Sequence, residues 1–323
     1  MKLLFTLVAA ASILSAQVTI IPEADVVHVT IDGKPFTDFY LKGGESMKPY
    51  LHPLRSASGK IVTRHFPMET VAGEPVDHPH QRSLWFAHDN VNGFDFWNNE
   101  ANYKTLKRGR ITVEKITGTT NGKNEGTISA VMSWKDPEGN KLLDEARVMT
   151  FRKTATLRMV DMDITVTAAT KVTFGDSKDG VLGVRLAASL QEGKNSGRGI
   201  TDEGPHTGTI MNAEGQLKEP AVWGKPSNWM DYSGEVEGEK VGVTIFDHPK
   251  NSPRARWHVR AYGLFAANPF GIREFTRDPN QDGSWTIEEN KSLTFRYRVV
   301  IHHGDYQQAK IAEAYERFAA EEK

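Results

Sequence analysis

Short runs of apolar, β-branched and aromatic residues, separated by turn residues, dominate the pattern of the chain. The first three runs cover residues 18–21, 26–31 and 36–41, and Pro22 and the turn segment 32–35 separate them. Such runs, bounded by Pro, Gly and Asp, are typical of strands, and their close spacing predicts hairpins of antiparallel sheet. The run 157–166 alternates apolar and polar positions, which indicates a strand with one buried face.

Similar runs recur along the rest of the sequence, and the pattern changes only near the end. Within residues 305–322, Ile311, Ala314, Tyr315 and Phe318 fall at helical spacing and predict an amphipathic helix. We therefore predict an all-β fold, a large antiparallel β-sandwich with a C-terminal α-helix. The remaining predicted strands are 111–116, 126–134, 142–151, 156–166, 181–189, 241–246, 257–266 and 293–302.

Two long segments lack regular periodicity. Residues 43–99 are rich in Pro, His, Gly and aromatic residues, and residues 191–227 are rich in Gly, Asn, Glu and Pro. Long irregular segments in compact domains are commonly functional loops. We expect the first to carry a functional site and the second to be a surface excursion.

Composition narrows the possible functions. The 323 residues carry a formal charge of −1 with no marked excess of either sign, so nothing in the charge predicts a nucleic-acid partner. The absence of cysteine excludes thiol catalysis and thiolate metal sites. A basic start and an apolar run predict a signal peptide over residues 1–16. We expect a single β-sandwich domain over 17–323, periplasmic or secreted, without stable membrane insertion.

The densest chemistry lies in residues 77–97. Proline at position 79 biases His78 toward an extended backbone, in which residues two apart point to the same face, so His78 and His80 are expected to project together. Paired imidazoles can bind a divalent metal, act as general acid and base, or hydrogen-bond sugar hydroxyls. The alternative is a polar core edge. Aromatic residues that could form a flat wall for a sugar ring are Trp85, Phe94, Phe96 and Trp97.

Two other segments carry groups of the same kind. Arg64 and His65 precede the dense stretch, and alternation along 257–263 predicts that His258, Arg260 and Tyr262 share one strand face. A His-x-His pair supplies only two metal ligands, and the candidates for a third are His88, His258 and Asp77. Alternation also places His302 and His303 on opposite faces, so we interpret that pair as structural.

The segments 77–97 and 257–271 resemble a bacterial family known as "methane oxygenase PmoA-like". Many of its members have His-His-Arg-Gly-Leu-Trp in the first motif, so Gln81 and Ser83 depart from the pattern while His78, His80, Arg82 and Trp85 keep their expected roles. The resemblance implies a β-sandwich, with a galactose-mutarotase-like supersandwich as one candidate architecture. It also implies an association with sugar degradation rather than membrane oxidation of methane.

These observations lead to one hypothesis with two alternatives. We expect a secreted carbohydrate-active protein, an enzyme acting on a small saccharide or glycoside as a hydrolase, lyase or epimerase. The alternatives are a noncatalytic carbohydrate-binding module and a copper oxygenase. No cofactor is required, although His78 and His80 would be the ligands of a divalent metal. The expected catalytic residues are Asp77, His78, His80 and His258. The expected substrate-binding residues are Arg64, His65, Arg82, Trp85, His88, Asn92, Trp97, Arg260 and Tyr262.

Overall fold

A computed structural model describes residues 17–104, 107–194 and 201–322. The predicted signal peptide lies outside these residues. The first nine strands are β1 (Val18–Pro22), β2 (Val26–Ile31), β3 (Lys34–Tyr40), β4 (Tyr50–His52), β5 (Leu84–His88), β6 (Arg110–Thr120), β7 (Glu125–Lys135), β8 (Lys141–Lys153) and β9 (Arg158–Ala168). The others are β10 (Val172–Phe174), β11 (Gly180–Arg185), β12 (Thr209–Asn212), β13 (Trp229–Val236), β14 (Glu239–Asp247), β15 (Arg256–Val259), β16 (Leu264–Asn268), β17 (Trp285–Ile287) and β18 (Ser292–His303). The helices are α1 (Glu219–Val222), α2 (Ile272–Thr276) and α3 (Ile311–Ala319).

Two eight-stranded antiparallel sheets form the body of the protein. The first sheet has the order β1-β2-β3-β4-β5-β11-β16-β15, and the second has the order β12-β13-β14-β18-β9-β8-β7-β6. A small pair, β10 and β17, accompanies them. The predicted all-β antiparallel sandwich with a C-terminal helix is confirmed.

The core lies between the two sheets. Phe86 on β5 of the first sheet contacts Trp134 and Phe295 of the second, with ring centroids 6.0 and 5.3 Å apart. Because successive strand residues point to opposite faces, Trp85 on β5 and Gly183 and Arg185 on β11 lie on the outer face of the first sheet. That outer face is where polar groups collect.

Helix α3 covers part of the outer face of the second sheet. Its apolar stripe contributes Ile311, Tyr315 and Phe318, which pack against Phe246 and Val300 on the sheet. This stripe is the helical periodicity visible in the sequence, and it confirms the predicted amphipathic helix. None of the helices in the described part of the chain is long and apolar enough to cross a membrane.

The prediction of a single strand over 257–266 is wrong. The chain forms a hairpin in which β15 ends at Val259 and β16 begins at Leu264, and the amide of Gly263 donates to the carbonyl of Arg260 at 2.9 Å. Gly263 has φ +87°, a conformation that glycine adopts without a steric penalty. His258, Arg260 and Tyr262 therefore do not share a strand face, because the last two lie in the turn.

The irregular segment 43–99 contains two strands that the pattern did not predict. β4 is short, and all five residues of β5 are buried, so β5 shows no alternation of apolar and polar positions. A strand that is buried on both faces has no solvent-facing polar positions, so its sequence lacks the alternation that predicts a strand. Asp77 and His78, in the irregular part of the segment, lie on the outer face of the first sheet beside Arg185, whereas Phe96 packs in the core against Trp134.

Candidate active site on the first sheet

Asp77 lies at the centre of a buried cluster of charges on this outer face. Its Oδ1 accepts hydrogen bonds from Nη1 of Arg64 at 2.5 Å and from Nη2 of Arg185 at 3.0 Å. Both arginine side chains are fully buried. Burial disfavours the Asp77 carboxylate, but the hydrogen bond from His78 and the two guanidinium charges outweigh it and hold its pKa far below the usual value.

His78 connects this buried cluster to solvent. Its Nδ1 donates to Oδ2 of Asp77, and its side chain is 39% exposed. Because the carboxylate accepts the proton of Nδ1, the neutral imidazole has its lone pair on Nε2. Asp77 and His78 together are named the Asp77–His78 dyad here.

The turn around His78 differs from the predicted extended backbone. His78 has φ +44°, and the amide of Gln81 donates to its carbonyl at 3.0 Å, so residues 78–81 form a tight turn. The bias from Pro79 is overridden because Arg64 Nη2 also binds the His78 carbonyl, at 2.9 Å. The expected proximity is nevertheless confirmed, since the His78 and His80 rings lie 5.6 Å apart.

The hairpin turn of β15 and β16 supplies a ring to the cluster. Tyr262 stacks on His78 with centroids 5.5 Å apart and planes 7° apart, and the Arg185 guanidinium lies 4.7 Å from the Tyr262 centroid. Arg260 also lies over this ring, at 5.5 Å, while its Nε donates to Glu219 at 2.7 Å. The two sequence segments near positions 80 and 260 thus meet, through Tyr262.

A second buried group lies behind His78. His80 is buried with its Nδ1 3.0 Å from the hydroxyl of Tyr103, and burial followed by the charge of Lys48 keeps its pKa well below the usual value. Lys48 donates to the carbonyl of Trp97 at 2.7 Å and to Asn99 at 2.6 Å. Burial lowers the pKa of Lys48 to about 7.

A groove of about 720 Å³ opens beside this cluster and is named the Arg82 groove here. Arg82 and Glu100 form a bidentate pair in its wall, with Nε–Oε1 at 3.0 Å and Nη2–Oε2 at 2.5 Å. Tyr40 and Tyr50 stack in it with centroids 5.0 Å apart. Its other lining residues are Lys42, Gly43, Gly44, Glu45, Phe66, Pro67, Met68, Pro79 and Asn102.

Several expected site residues lie elsewhere. His88 faces the core, where its Nε2 donates to the carbonyl of Gly175 at 2.8 Å. Its expected place in a substrate site is wrong, because β5 turns that residue inward. His258 is buried at the far edge of the first sheet, where its Nδ1 binds the carbonyl of Lys178 at 2.9 Å and its ring contacts Trp223 and Phe275. It has no contact with His78 or His80 among the described residues.

The predicted stacking platform is also wrong. Trp85 and Trp97 are buried against each other with centroids 4.9 Å apart, and both close over Gly183. Asn92 is exposed, and its Oδ1 accepts a hydrogen bond from the backbone amide of Thr173 in β10 at 2.7 Å. His65 pairs with Glu74 at 3.2 Å next to the cluster.

Four members of the site carried no recognised signal in the sequence: Lys48, Glu100, Tyr103 and Arg185. They reach it from distant positions, and Arg185 lies 108 residues from Asp77. Gln81, which departs from the family motif, accepts from Nη1 of Arg185 at 2.5 Å and so belongs to the cluster. In the described residues, no group of three or more His, Asp or Glu side chains stands ready to hold a metal ion.

Comparison with known proteins gives a family but no activity. A model described as "Family of unknown function (DUF6807)" matches residues 26–316, and it bears neither for nor against the PmoA-like resemblance. No curated protein matches the sequence.

Solved structures offer distant likenesses. The galactosidase domain of the α-galactosidase-sucrose kinase AgaSK is 8% identical, with 88% of this chain covered and a TM-score of 0.43. This chain spans only 42% of that chain. A galactose mutarotase related enzyme from Lactobacillus acidophilus is 12% identical, with 89% of this chain and 98% of that chain covered and a TM-score of 0.39. An α-galactosidase from Lactobacillus brevis is 10% identical, with 95% and 43% covered and a TM-score of 0.38. At these TM-scores none of them assigns an activity, and the galactose-mutarotase-like architecture stays a prediction.

Proposed function

Because this chain belongs to DUF6807, a family whose description gives no function, we propose its activity from its own side chains. The protein is a carbohydrate-active enzyme that binds a small saccharide or glycoside in the Arg82 groove and moves a proton on it with His78. The Asp77–His78 dyad is the observation that carries the proposal.

The dyad has the parts that a general base requires. Asp77 fixes the imidazole orientation and tautomer, so that the unprotonated Nε2 of His78 is the nitrogen free to accept a proton. The carboxylate also stabilises the imidazolium that forms when the proton arrives. Arg64 and Arg185 are positioning residues, because they hold Asp77 ionised and contact it directly.

The Arg82 groove has the mixed lining that a saccharide requires. The phenol rings of Tyr40 and Tyr50 and the side chain of Phe66 offer apolar surface, while Arg82 and Glu100 offer charged hydrogen-bonding groups. Sugar rings combine an apolar face with hydroxyl edges, and pockets of this volume suit small ligands. Pro79, the residue after His78, lines the groove, and we place the dyad at the border of the groove on that ground.

The arrangement favours epimerisation or elimination over hydrolysis. Most glycoside hydrolases use two carboxyl groups that flank the scissile bond. Here Glu100 is bound by two nitrogens of Arg82 and Asp77 by two arginines. Glu45 is the other carboxylate of the groove lining, and it does not make the pair that hydrolysis requires. An exposed imidazole on a buried aspartate suits abstraction of a proton from a sugar carbon or hydroxyl instead.

The test is solvent deuterium exchange into sugars. Purified protein is incubated in D₂O with aldoses, uronic acids and their glycosides, and NMR follows deuterium incorporation, epimers and unsaturated products. His78→Gln should lower turnover roughly 10²- to 10⁴-fold, the usual contribution of a general base. KM should change little, because the Arg82 groove is left intact.

His303→Gln is the matched control, since His303 is an exposed histidine at the end of β18 on the other sheet. It should keep full turnover. Equal turnover in the wild type and His78→Gln would rule out the dyad as the base. Saccharide binding by both proteins with turnover by neither would support the noncatalytic binding module.

A further inference from the structure

A second polar cluster lies on the outer face of the second sheet, beyond the part that α3 covers. Asp231 on β13 is buried and accepts three hydrogen bonds, from Oγ1 of Thr244 at 2.6 Å, from Nε2 of His302 at 2.9 Å and from Oγ of Ser233. The three strands β13, β14 and β18 each contribute a member, so the sheet register assembles it. His302 is buried and His303 is exposed, which confirms the prediction that the two side chains point to opposite faces of the strand.

A glycine makes room for this cluster. A Cβ at Gly242 would lie 2.3 Å from Cε1 of His302 and 2.6 Å from Oγ of Ser233. Any larger residue at position 242 would push the imidazole and the hydroxyl apart. The imidazole has one further site, since within the described residues the buried Nδ1 of His302 has no hydrogen-bond partner. His302 does not itself line the cavity described next, so the cluster reaches that cavity through Asp231 and Ser233.

Asp231 and Ser233 line a cavity of about 380 Å³. Met211, Leu217 and Tyr306 give the cavity an apolar wall. Its other lining residues are Thr207, Thr209, Gly234, Glu235, Lys240, Gly304 and Asp305. The charged side chains of the lining are the carboxylates of Asp231, Glu235 and Asp305 and the amine of Lys240, so a neutral ligand with hydroxyl donors fits better than an anion.

We propose that this Asp231 cavity is a second binding site, separate from the Arg82 groove, for a neutral monosaccharide-sized polyol. The ring's apolar face packs on Met211 and Tyr306. Its hydroxyls donate to Asp231 and to Oγ of Ser233, whose own proton is already donated to Asp231, and they accept from Lys240. The proposal is independent of the proposed catalytic activity, because the two sites lie on different sheets.

The two sites each have their own methionine, which gives the test its readout. Met211 lines the Asp231 cavity and Met68 lines the Arg82 groove. Protein labelled with ¹³C at the methionine methyl groups is titrated with glucose, galactose and inositol, and the two signals are assigned by Met211→Leu and Met68→Leu. The Met211 signal should shift to saturation.

Two variants test the site without relying on the buried aspartate. Ser233→Ala removes one hydroxyl and should weaken the Met211 titration about tenfold. Leu217→Lys alters a wall residue whose side chain is exposed, so the change should leave the core intact, and it should weaken the Met211 titration as well. Both variants should leave the Met68 titration and any turnover unchanged.

Three outcomes would overturn the proposal. The first is a Met211 signal that no polyol shifts, and the second is a Met211 titration unaffected by both variants. The third is a shift by putrescine as large as the shift by the polyols, which would mean that the cavity does not select a neutral ligand. His78→Gln separates this result from the first site, since it should alter turnover but not the Met211 titration.

Discussion

Two buried aspartates each lie between two arginines, yet they serve different ends. Asp77 binds Arg64 and Arg185 on the first sheet, and Asp161 binds Arg298 and Arg152 on the second, with Arg298 Nη2 to Oδ2 at 2.7 Å. In both clusters, burial disfavours the charged carboxylate, but its hydrogen-bonding and charged partners outweigh burial and lower the pKa. The partners are His78 and the two arginines at Asp77, and the two arginines at Asp161. The presence of a buried aspartate between two arginines therefore does not by itself distinguish a candidate active site from an ion pair that only stabilises the fold.

The neighbours make the difference. Arg298 also binds Glu321 beyond α3 at 2.9 Å and lies 4.7 Å from the ring centroid of Phe318, so the Asp161 cluster fastens the helix to its sheet. The Asp77 cluster instead presents an exposed imidazole next to a groove. A buried ion pair becomes a candidate site when one of its members is both titratable and accessible.

The largest effect is expected from Asp77→Asn. This change leaves Arg64 and Arg185 buried without their shared carboxylate, and should lower the free energy of unfolding by about 3–5 kcal/mol. Asp161→Asn should cost less, about 1–3 kcal/mol, since Arg298 keeps Glu321 and Arg152 keeps Glu125. Urea denaturation at pH 7 measures both, and equal costs would contradict the comparison.

The acid range offers a control for this prediction. A carboxyl whose pKa is lower in the folded state stabilises the protein above its unfolded pKa, near 3.8, and that stabilisation is lost as the pH falls toward the folded value. The stability difference between wild type and Asp77→Asn should therefore shrink below about pH 4. A difference that stays constant down to pH 2 would mean that the carboxylate charge is not its cause.

A smaller effect is expected from Lys48, which has no counterpart in the Asp161 cluster as described. Burial lowers its pKa from 10.5 to about 7, so its neutral form is favoured on folding and stability should rise with pH between these values. From pH 7 to pH 9 the rise should be about 2 kcal/mol. Lys48→Met should lack this rise, which urea denaturation at the two pH values would show. A rise of equal size in the variant would assign it to another group.

The smallest effect is expected from Glu321→Gln. Its side chain is 32% exposed, so its pair with Arg298 is screened by water and should contribute less than about 1 kcal/mol. The change should leave α3 in place, because Ile311, Tyr315 and Phe318 hold it. Circular dichroism and urea denaturation would check this. A loss of 3 kcal/mol or more, the size expected at Asp77, would contradict the distinction.

The fold could be predicted largely from local patterns. The alternation over 157–166 corresponds to β9, and the run 26–31 to β2, because each strand has one face against the core. β5 was missed because burial on both faces removes the alternation. The hairpin of β15 and β16 was missed because both strands and the turn between them contain apolar and aromatic residues, so they look like one continuous strand. Gly263 is the residue that indicates the reversal.

Members of the cluster were predicted where the sequence contains a local signal, either neighbours that carry chemistry or a residue type suited to the site. His78, His80 and Asp77 lie together in the chain, and Arg64 and Tyr262 were predicted from their local chemistry. Arg185 and Lys48 reach the cluster through sheet register and loop packing, which a local pattern does not encode. His258 and His88 were assigned to the site from their residue type. His88 points into the core, and His258 lies on the edge strand β15 of the first sheet.

The stack of Tyr262 on His78 ties together two segments that are otherwise independent in the chain. Engineers who graft the segment around residues 77–82 from one family member into another would therefore need to transfer the turn at 260–263 as well. The two segments should be exchanged together, because a chimera that separates them would lose the Tyr262 ring that stacks on His78 and orients its imidazole.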